Sequence, residues 1–444
     1  MTPLSTVKRA LFGFFLLGLH GGAAEADMVG HGGLVRDIAV SADGTTVLSA
    51  SFDYTLRRWR FDDQTALDVL SGHAGPVNAV AFLSGSGAVS AGGDGRLIVW
   101  RLGTGEAKPA RILDAHRGQA AAIAVSGDGA TLLSGGWDGT LALWDANTGA
   151  ERRRIAVGAP VIAAAFGVGD AQVISGTRDG ELKIYRRRDG ILTATIPAHD
   201  LGLTAMAVSP DKSQLATIGL DNMVRVWTLD PFAERFAFLA DPVTKPLSLA
   251  FSPDDTSVVV GFLNGDVRQL DTGRGRTLAH IREEAGPVWA VALSADGRFL
   301  LSASSDERIK VWHLESGARI GETIADDPRP TPWLTSDHPG AVVYRKCAVC
   351  HATTAKERQR SGPHFTDLFG RRAGSVAGYA YTPALANSKI VWTPETIADL
   401  FRRGPDTVFP GTKMPVQTIP DEAALAALVD FMAGMLGQTT VPAE

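Results

Sequence analysis

Cysteine is almost missing from this chain: Cys347 and Cys350 are the only two in 444 residues. A zinc site would need two more nitrogen or sulfur ligands at suitable spacing, and there is no third cysteine to help supply them. Long apolar runs are as scarce. The only candidate is Leu11-Phe12-Gly13-Phe14-Phe15-Leu16-Leu17-Gly18-Leu19, shorter than the ~20 residues a bilayer span takes. No metal motif, nucleotide loop or catalytic triad stands out in the long first part of the chain. Net charge is only −5. Residues 27–336 carry the acidic excess and 337–444 are close to neutral. Glycine, by contrast, is plentiful at 49 residues, which suits a protein of many tight turns.

The N-terminus has the layout of an export signal. Lys8 and Arg9 precede the apolar run, and Ala24-Glu25-Ala26 offers a small-residue cleavage site before Asp27. Residues 1–26 are therefore expected to be a signal peptide. Removing it leaves no membrane span, and no cysteine near the site could carry a lipid. Outside the cytoplasm, cysteine scarcity says nothing about redox compartment.

From residue 31 to about 325 the chain repeats. Trp59, Trp100, Trp144, Tyr185, Trp227, Gln269 and Trp312 recur about every 42 residues. Each unit holds an alternating strand, an Asp-Gly-like turn, a second strand and an x-Asp-x-x-apolar-x-x-Trp close. Ala39-Val40-Ser41-Ala42-Asp43-Gly44 and Ala292-Leu293-Ser294-Ala295-Asp296-Gly297 show the first turn. Asp-Gly tolerates the positive φ of a hairpin, and period-two alternation between close turns predicts antiparallel β-structure. Such units resemble the WD-repeat β-propeller family, which implies seven blades over 27–325. The family's internal chain reads as His31, Asp53, Trp59; His73, Asp94, Trp100; His116, Asp138, Trp144; and His199, Asp221, Trp227. A buried histidine needs a carboxylate, and an indole N–H needs an acceptor, so these residues are read as scaffold. The fourth unit has only Asp179 and Tyr185, the sixth has Gln269 in place of tryptophan, and the seventh opens on Glu283-Glu284. Contiguous blades are expected, with a last strand between residues 318 and 324.

Prolines 328, 330, 332 and 339 mark a stiff linker over 326–336. Beyond it stands Cys347-Ala348-Val349-Cys350-His351. Two thiols three positions apart, followed by histidine, form the attachment pattern of c-type haem. A thioredoxin-like redox pair is the competing reading, but no βαβ pattern surrounds the motif. Helices are expected around 340–344 and over 421–436, the second opening on Asp421 and Glu422 with Leu425, Leu428, Phe431 and Met432 at helical spacing. Met414, between Pro410 and Pro415, is the natural second iron ligand, since a thioether favours ferrous iron. Met432 and Met435 read as helix packing.

Residues 337–444 resemble the class I, mitochondrial-type cytochromes c. Gly362-Pro363, Leu368-Phe369-Gly370-Arg371, Tyr379-Ala380-Tyr381, Ile390-Val391-Trp392 and residues 410–414 carry the likeness. The resemblance implies an all-α domain with one haem c attached through Cys347 and Cys350 and ligated by His351 and Met414. It implies that the Pro363 carbonyl holds His351, that Tyr381 and Trp392 donate to a haem propionate, and that Arg371 is a nearby counter-charge. Gly340 and Tyr344 are expected to cross the last helix near Leu428 and Phe431. Where relatives carry a tyrosine near the methionine sulfur, this chain reads Asp399-Leu400-Phe401. His364 reads as a pocket-rim residue. Arg371-Arg372, Arg402-Arg403 and Lys413 suggest a basic patch for steering or docking.

Taken together, the sequence predicts an exported, periplasmic electron-transfer cytochrome whose propeller is a protein-docking scaffold. The alternative is an oxidoreductase whose propeller binds a substrate or second cofactor and passes electrons to the haem. The first reading makes the chain more an electron carrier than a catalyst with its own substrate. Its partners would be a redox protein (an oxidase, reductase or dehydrogenase) and a further protein on the propeller, with no nucleic acid.

Overall fold

The computed structural model describes residues 27–320 and 336–436, apart from 86, 104–107, 240–242, 283–285, 349–350, 356–361, 378, 380, 411, 413 and 415–417. The expected signal peptide, nearly all of the linker, Cys350, Glu283-Glu284, Lys413 and Pro415 lie outside the described residues. No helix among the described residues is long and apolar enough to cross a membrane.

Residues 35–320 form seven four-stranded antiparallel sheets, each in simple sequential order. Blade 1 runs through Val35–Val40, Thr46–Ser51, Thr55–Arg60 and Ala66–Ser71. Blade 7 ends with Ile309–His313 and the short strand Arg319–Ile320. The first strands of successive blades touch in order, and that of blade 7 returns to that of blade 1. The sheets therefore close into a ring with these strands innermost. Second strands are buried throughout, whereas the fourth strand of blade 1 is mostly exposed. Hydrophobic cores lie between blades: Val89, Leu97 and Val99 of blade 2 pack with Leu132, Ala142 and Trp144 of blade 3. A single blade could not bury both faces, and the ring supplies each with a neighbour.

The polar chains expected in the blades are present, and each includes a hydroxyl as a further member. His31 Nδ1 pairs with Asp53 at 2.8 Å, and its Nε2 meets Ser49 Oγ at 2.7 Å. Trp59 Nε1 donates to the same Ser49 oxygen at 2.8 Å. Ser90, Ser134 and Thr217 repeat this in blades 2, 3 and 5. In blade 7, without the opening histidine, Trp312 still donates to Ser302. In blade 6 the register places Leu270, not the expected Gln269, at the tryptophan position and Val260 at the hydroxyl position; Gln269, one residue earlier, donates from Nε2 to Ser257 at 2.8 Å.

Blade 7 is contiguous, as expected, but the start of the described chain adds a bond to it. Met28 and Ile309 form an antiparallel bridge, and Met28 is fully buried in the core between blades 1 and 7. The buried Asp27 carboxylate accepts from Arg319 Nη2 through both oxygens. Asp27 and Met28 thus tie the start of the described chain to blade 7.

After residue 336 the described chain holds five helices joined by longer connections, with an isolated bridge between Arg372 and Val391. The helices are α1 (Pro339–Ala348), α2 (Pro383–Ala386), α3 (Pro394–Arg403), α4 (Pro405–Val408) and α5 (Glu422–Met435). Asp421 caps α5 by accepting from the Ala423 and Ala424 amides. Thr393 and Thr396 form a reciprocal box at the start of α3. Helices α1 and α5 cross where a Cβ on Gly340 would lie 1.9 Å from the Ala427 oxygen. Tyr344 packs beside Phe431 there, with ring centroids 5.5 Å apart.

Candidate functional site

The helices enclose a core built on Tyr344, Leu368, Phe369, Leu400, Phe401, Leu428 and Phe431. A cavity of about 1070 Å³, partly open to solvent, opens into it. Cys347, His351, Pro363, Arg371, Tyr381, Trp392 and Met414 all line this cavity. These are the expected haem-binding residues except Cys350, which lies outside the described residues; His364, expected at the pocket rim, is not among the lining residues. Those that line it come from α1, the α1–α2 and α2–α3 connections and the segment before α5. Only the fold brings Met414 to His351.

The His351 ring is held from three sides. Its Nδ1 donates to the Pro363 carbonyl oxygen at 2.7 Å, which fixes the tautomer and leaves the lone pair on Nε2. Phe365 stacks on the ring at 4.6 Å between centroids and 14° between planes. Gly362 lies so close that a Cβ there would come within 2.4 Å of the ring. Phe365 had no local signal in the sequence, because its contact depends on how the loop after His351 returns.

One wall of the cavity is polar. Arg371 donates to the His364 carbonyl at 2.8 Å and to the Thr366 carbonyl. Burial pulls its guanidinium below the usual range, partly opposed by Tyr381 and Asp367. Burial also raises the Tyr381 phenol, against a hydrogen bond from the Val376 amide and the charge of Arg371. His364 is lowered by burial and by Arg371, with Asp367 opposing. Its Nδ1 is a buried atom without a hydrogen-bond partner, and so is Thr382 Oγ1 on the cavity wall.

These features fit a haem. The lining is largely apolar, an imidazole nitrogen and a thioether sulfur are the available donors, and an orphaned hydroxyl stands beside a tyrosine, an arginine and an indole. The expected basic patch is weaker than the sequence suggests. Arg402 is paired with Glu422 at 2.8 Å, Arg403 with Asp399 at 3.0 Å, and Arg372 is bound to the carbonyls of Ala386 and Ser388. The runs of like charge hid their acidic partners, of which Glu422 is 20 residues away from Arg402.

Comparison with known proteins finds repeats in the first part of the chain. The model of the WD domain, G-beta repeat matches residues 24–60, 64–101, 107–145, 190–228 and 275–313. The unmatched blades, 4 and 6, are two that lack the histidine and the tryptophan. Similar proteins include transcription factor unc-37 of Caenorhabditis elegans, 29% identical over 194 residues (44% of this chain, 31% of the relative). Autophagy-related protein 16 of Arabidopsis thaliana is 23% identical over 287 residues (64% of this chain, 56% of the relative). This chain spans from 11% to 56% of the length of such WD-repeat relatives. Cytochrome c2 of Blastochloris viridis is 36% identical over 93 residues, which are 21% of this chain and 72% of the relative.

Proposed function

Because the chain is built on WD repeats and, over the 93 residues it shares with cytochrome c2, belongs to the cytochrome c family, we propose that it is an exported electron carrier joined to a protein-docking propeller. The observation that carries this reading is the cavity that gathers Cys347, His351 and Met414, with His351 locked by Pro363. Cys347 and Cys350 would tether one haem c, and His351 and Met414 would be its nitrogen and sulfur ligands. Held by these residues, haem would supply a one-electron couple.

The rest is the work of the chain's own side chains. The Pro363 carbonyl keeps the proton on His351 Nδ1 and so presents Nε2 as a donor. Phe365 and Gly362 prevent the ring from turning. Leu400 and Phe401 are buried on the cavity wall, where they exclude water. No tyrosine hydroxyl stands at 399–401 to soften the Met414 sulfur. Arg371, Tyr381, Thr382 and Trp392 offer donors to carboxylates at the polar wall. The propeller contributes a rigid face for a redox protein, and the periplasm is its expected place.

The reading is tested by capturing partners from a periplasmic extract on the full-length protein. A captured oxidase, reductase or dehydrogenase that exchanges electrons with the purified chain supports it. Turnover of a small substrate with an artificial acceptor, and no electron exchange with any captured protein, would replace it with the oxidoreductase reading.

A further inference from the structure

One residue lining the cavity does not belong to the helical part. Tyr54, in the turn between the second and third strands of blade 1, shares the wall with His351, Met414 and Tyr381. Its place in the propeller is unusual. The same turn position has positive φ in every blade: Tyr54 at 69°, Gly95 at 78°, Gly139 at 75°, Gly180 at 89°, Asn222 at 64°, Gly265 at 90° and Glu307 at 65°. Four blades use glycine there, which the left-handed region favours. An aromatic residue in that region is strained and persists where its surroundings demand it.

Packing adds a second cost. A Cβ at Gly95 would lie 2.3 Å from the His116 carbonyl oxygen, and one at Gly180 would lie 2.0 Å from that of His199. In blades 2 and 4 the contact with the next blade therefore has no room for a side chain at this turn, whereas blades 5 and 7 carry Asn222 and Glu307 there. Tyr54 is the one of these seven turn residues that lines the cavity. The neighbouring Phe52 is 40% exposed, with the Arg36 guanidinium 5.8 Å from its ring centroid, so the turn presents an apolar and cationic surface.

We propose that the blade 1 turn is an internal docking element, in which Tyr54 covers part of the rim of the haem cavity. The propeller then shields one edge of the group the cavity holds, and an external redox partner must approach from the remaining perimeter. The inference rests on the haem reading of the cavity.

The test uses full-length, haem-loaded protein labelled with 3-fluorotyrosine. The chain has five tyrosines, and the Tyr54 fluorine resonance is assigned by its loss in Tyr54→Phe. Tyr379 and Tyr381 line the cavity, whereas Tyr185 is buried in blade 4. The expected result is that Tyr54 shifts between the ferric and ferrous states together with Tyr379 and Tyr381, while Tyr185 stays still. If Tyr379 and Tyr381 shift and Tyr54 follows Tyr185, the docking inference is overturned and the haem reading stands. If none shifts, both fall. Tyr54→Gly installs the residue that four other blades carry and should keep the fold. It is expected to raise the rate of oxidation by a small anionic oxidant several-fold with an unchanged thermal midpoint. An unchanged rate in the folded variant would also overturn the proposal.

Discussion

His351 Nδ1 lies 2.7 Å from the carbonyl oxygen of Pro363, so the proton sits on that nitrogen and the other is left to coordinate. Gly362 is the residue that lets the loop come so near. Gly362→Ala would press a Cβ to within 2.4 Å of the imidazole, and overpacking of this kind costs about 1–3 kcal/mol. The expected outcome is a lower melting temperature and a reduced haem-to-protein ratio, read by calorimetry and by the alkaline pyridine spectrum.

Met414 should be the ligand that closes the iron to other molecules. Met414→Ala is expected to turn a reduced protein that does not bind carbon monoxide rapidly into one that binds it stoichiometrically. Met432 lies on α5, is buried in the core and also reaches the cavity. Met432→Ala should lose stability by about 2–5 kcal/mol without opening the iron. Stopped-flow mixing with carbon monoxide separates the two.

Ring closure depends on a buried charge pair. Asp27 is buried and paired with Arg319 and, at 3.7 Å, with Arg308, so Arg319→Leu leaves the carboxylate only its longer partner, at a cost of about 1–3 kcal/mol. Asp27→Leu combined with Arg319→Leu should recover much of that loss. Urea midpoints of the single and double variants check this, and equal losses in both would contradict it.

The hydroxyl shared by histidine and tryptophan gives a further contrast. Ser134→Ala leaves His116 Nε2 and Trp144 Nε1 without their common partner, at about 1–3 kcal/mol for each buried group. Ser257→Ala in blade 6 removes a single partner of Gln269 and should cost less. Denaturation of both variants in urea gives the comparison.

Acid and base act on different parts of the ring. Burial holds His116 and His199 below the ordinary value of 6.5, against Asp138 and Asp221. A depressed histidine gives stability that is complete above 6.5 and lost as pH falls through its folded value. Asp37, on an inner strand, is raised by burial from 3.8 to about 6, although it accepts from the Val80 and Ile38 amides. Its contribution is whole below 3.8 and is lost as pH rises through about 6. Asp37→Asn should therefore match the parent near pH 4 and exceed it above pH 7, by on the order of 2 kcal/mol. Denaturation curves at both pH values decide it.

Much of the fold and most of the cavity lining are legible in the sequence. The recurring tryptophan sets the blade count, and the Asp-Gly turns set the hairpins. Ser49, Ser90, Ser134 and Ser302 stand ten residues before their tryptophans, a regular signal within the repeat, although serine is too common along the strands for one instance to stand out. Local spacing cannot show that Met28 reaches Ile309, that Phe365 stacks on His351, or that Glu422 neutralises Arg402. Each of those contacts joins segments distant in sequence or turned back by a loop. Tyr54 is hidden for a different reason: its meaning lies in the cavity wall of another part of the chain.

Cys347, Cys350, His351 and Met414 are proposed to hold one covalent haem. Mass spectrometry of the denatured, purified protein tests it most directly, followed by peptide mapping across residues 345–352. The expected result is one haem per chain that survives denaturation and acid–acetone extraction, mapped to both cysteines. Haem that is extractable, or two unmodified thiols in protein matured by a strain competent for haem attachment, would contradict it.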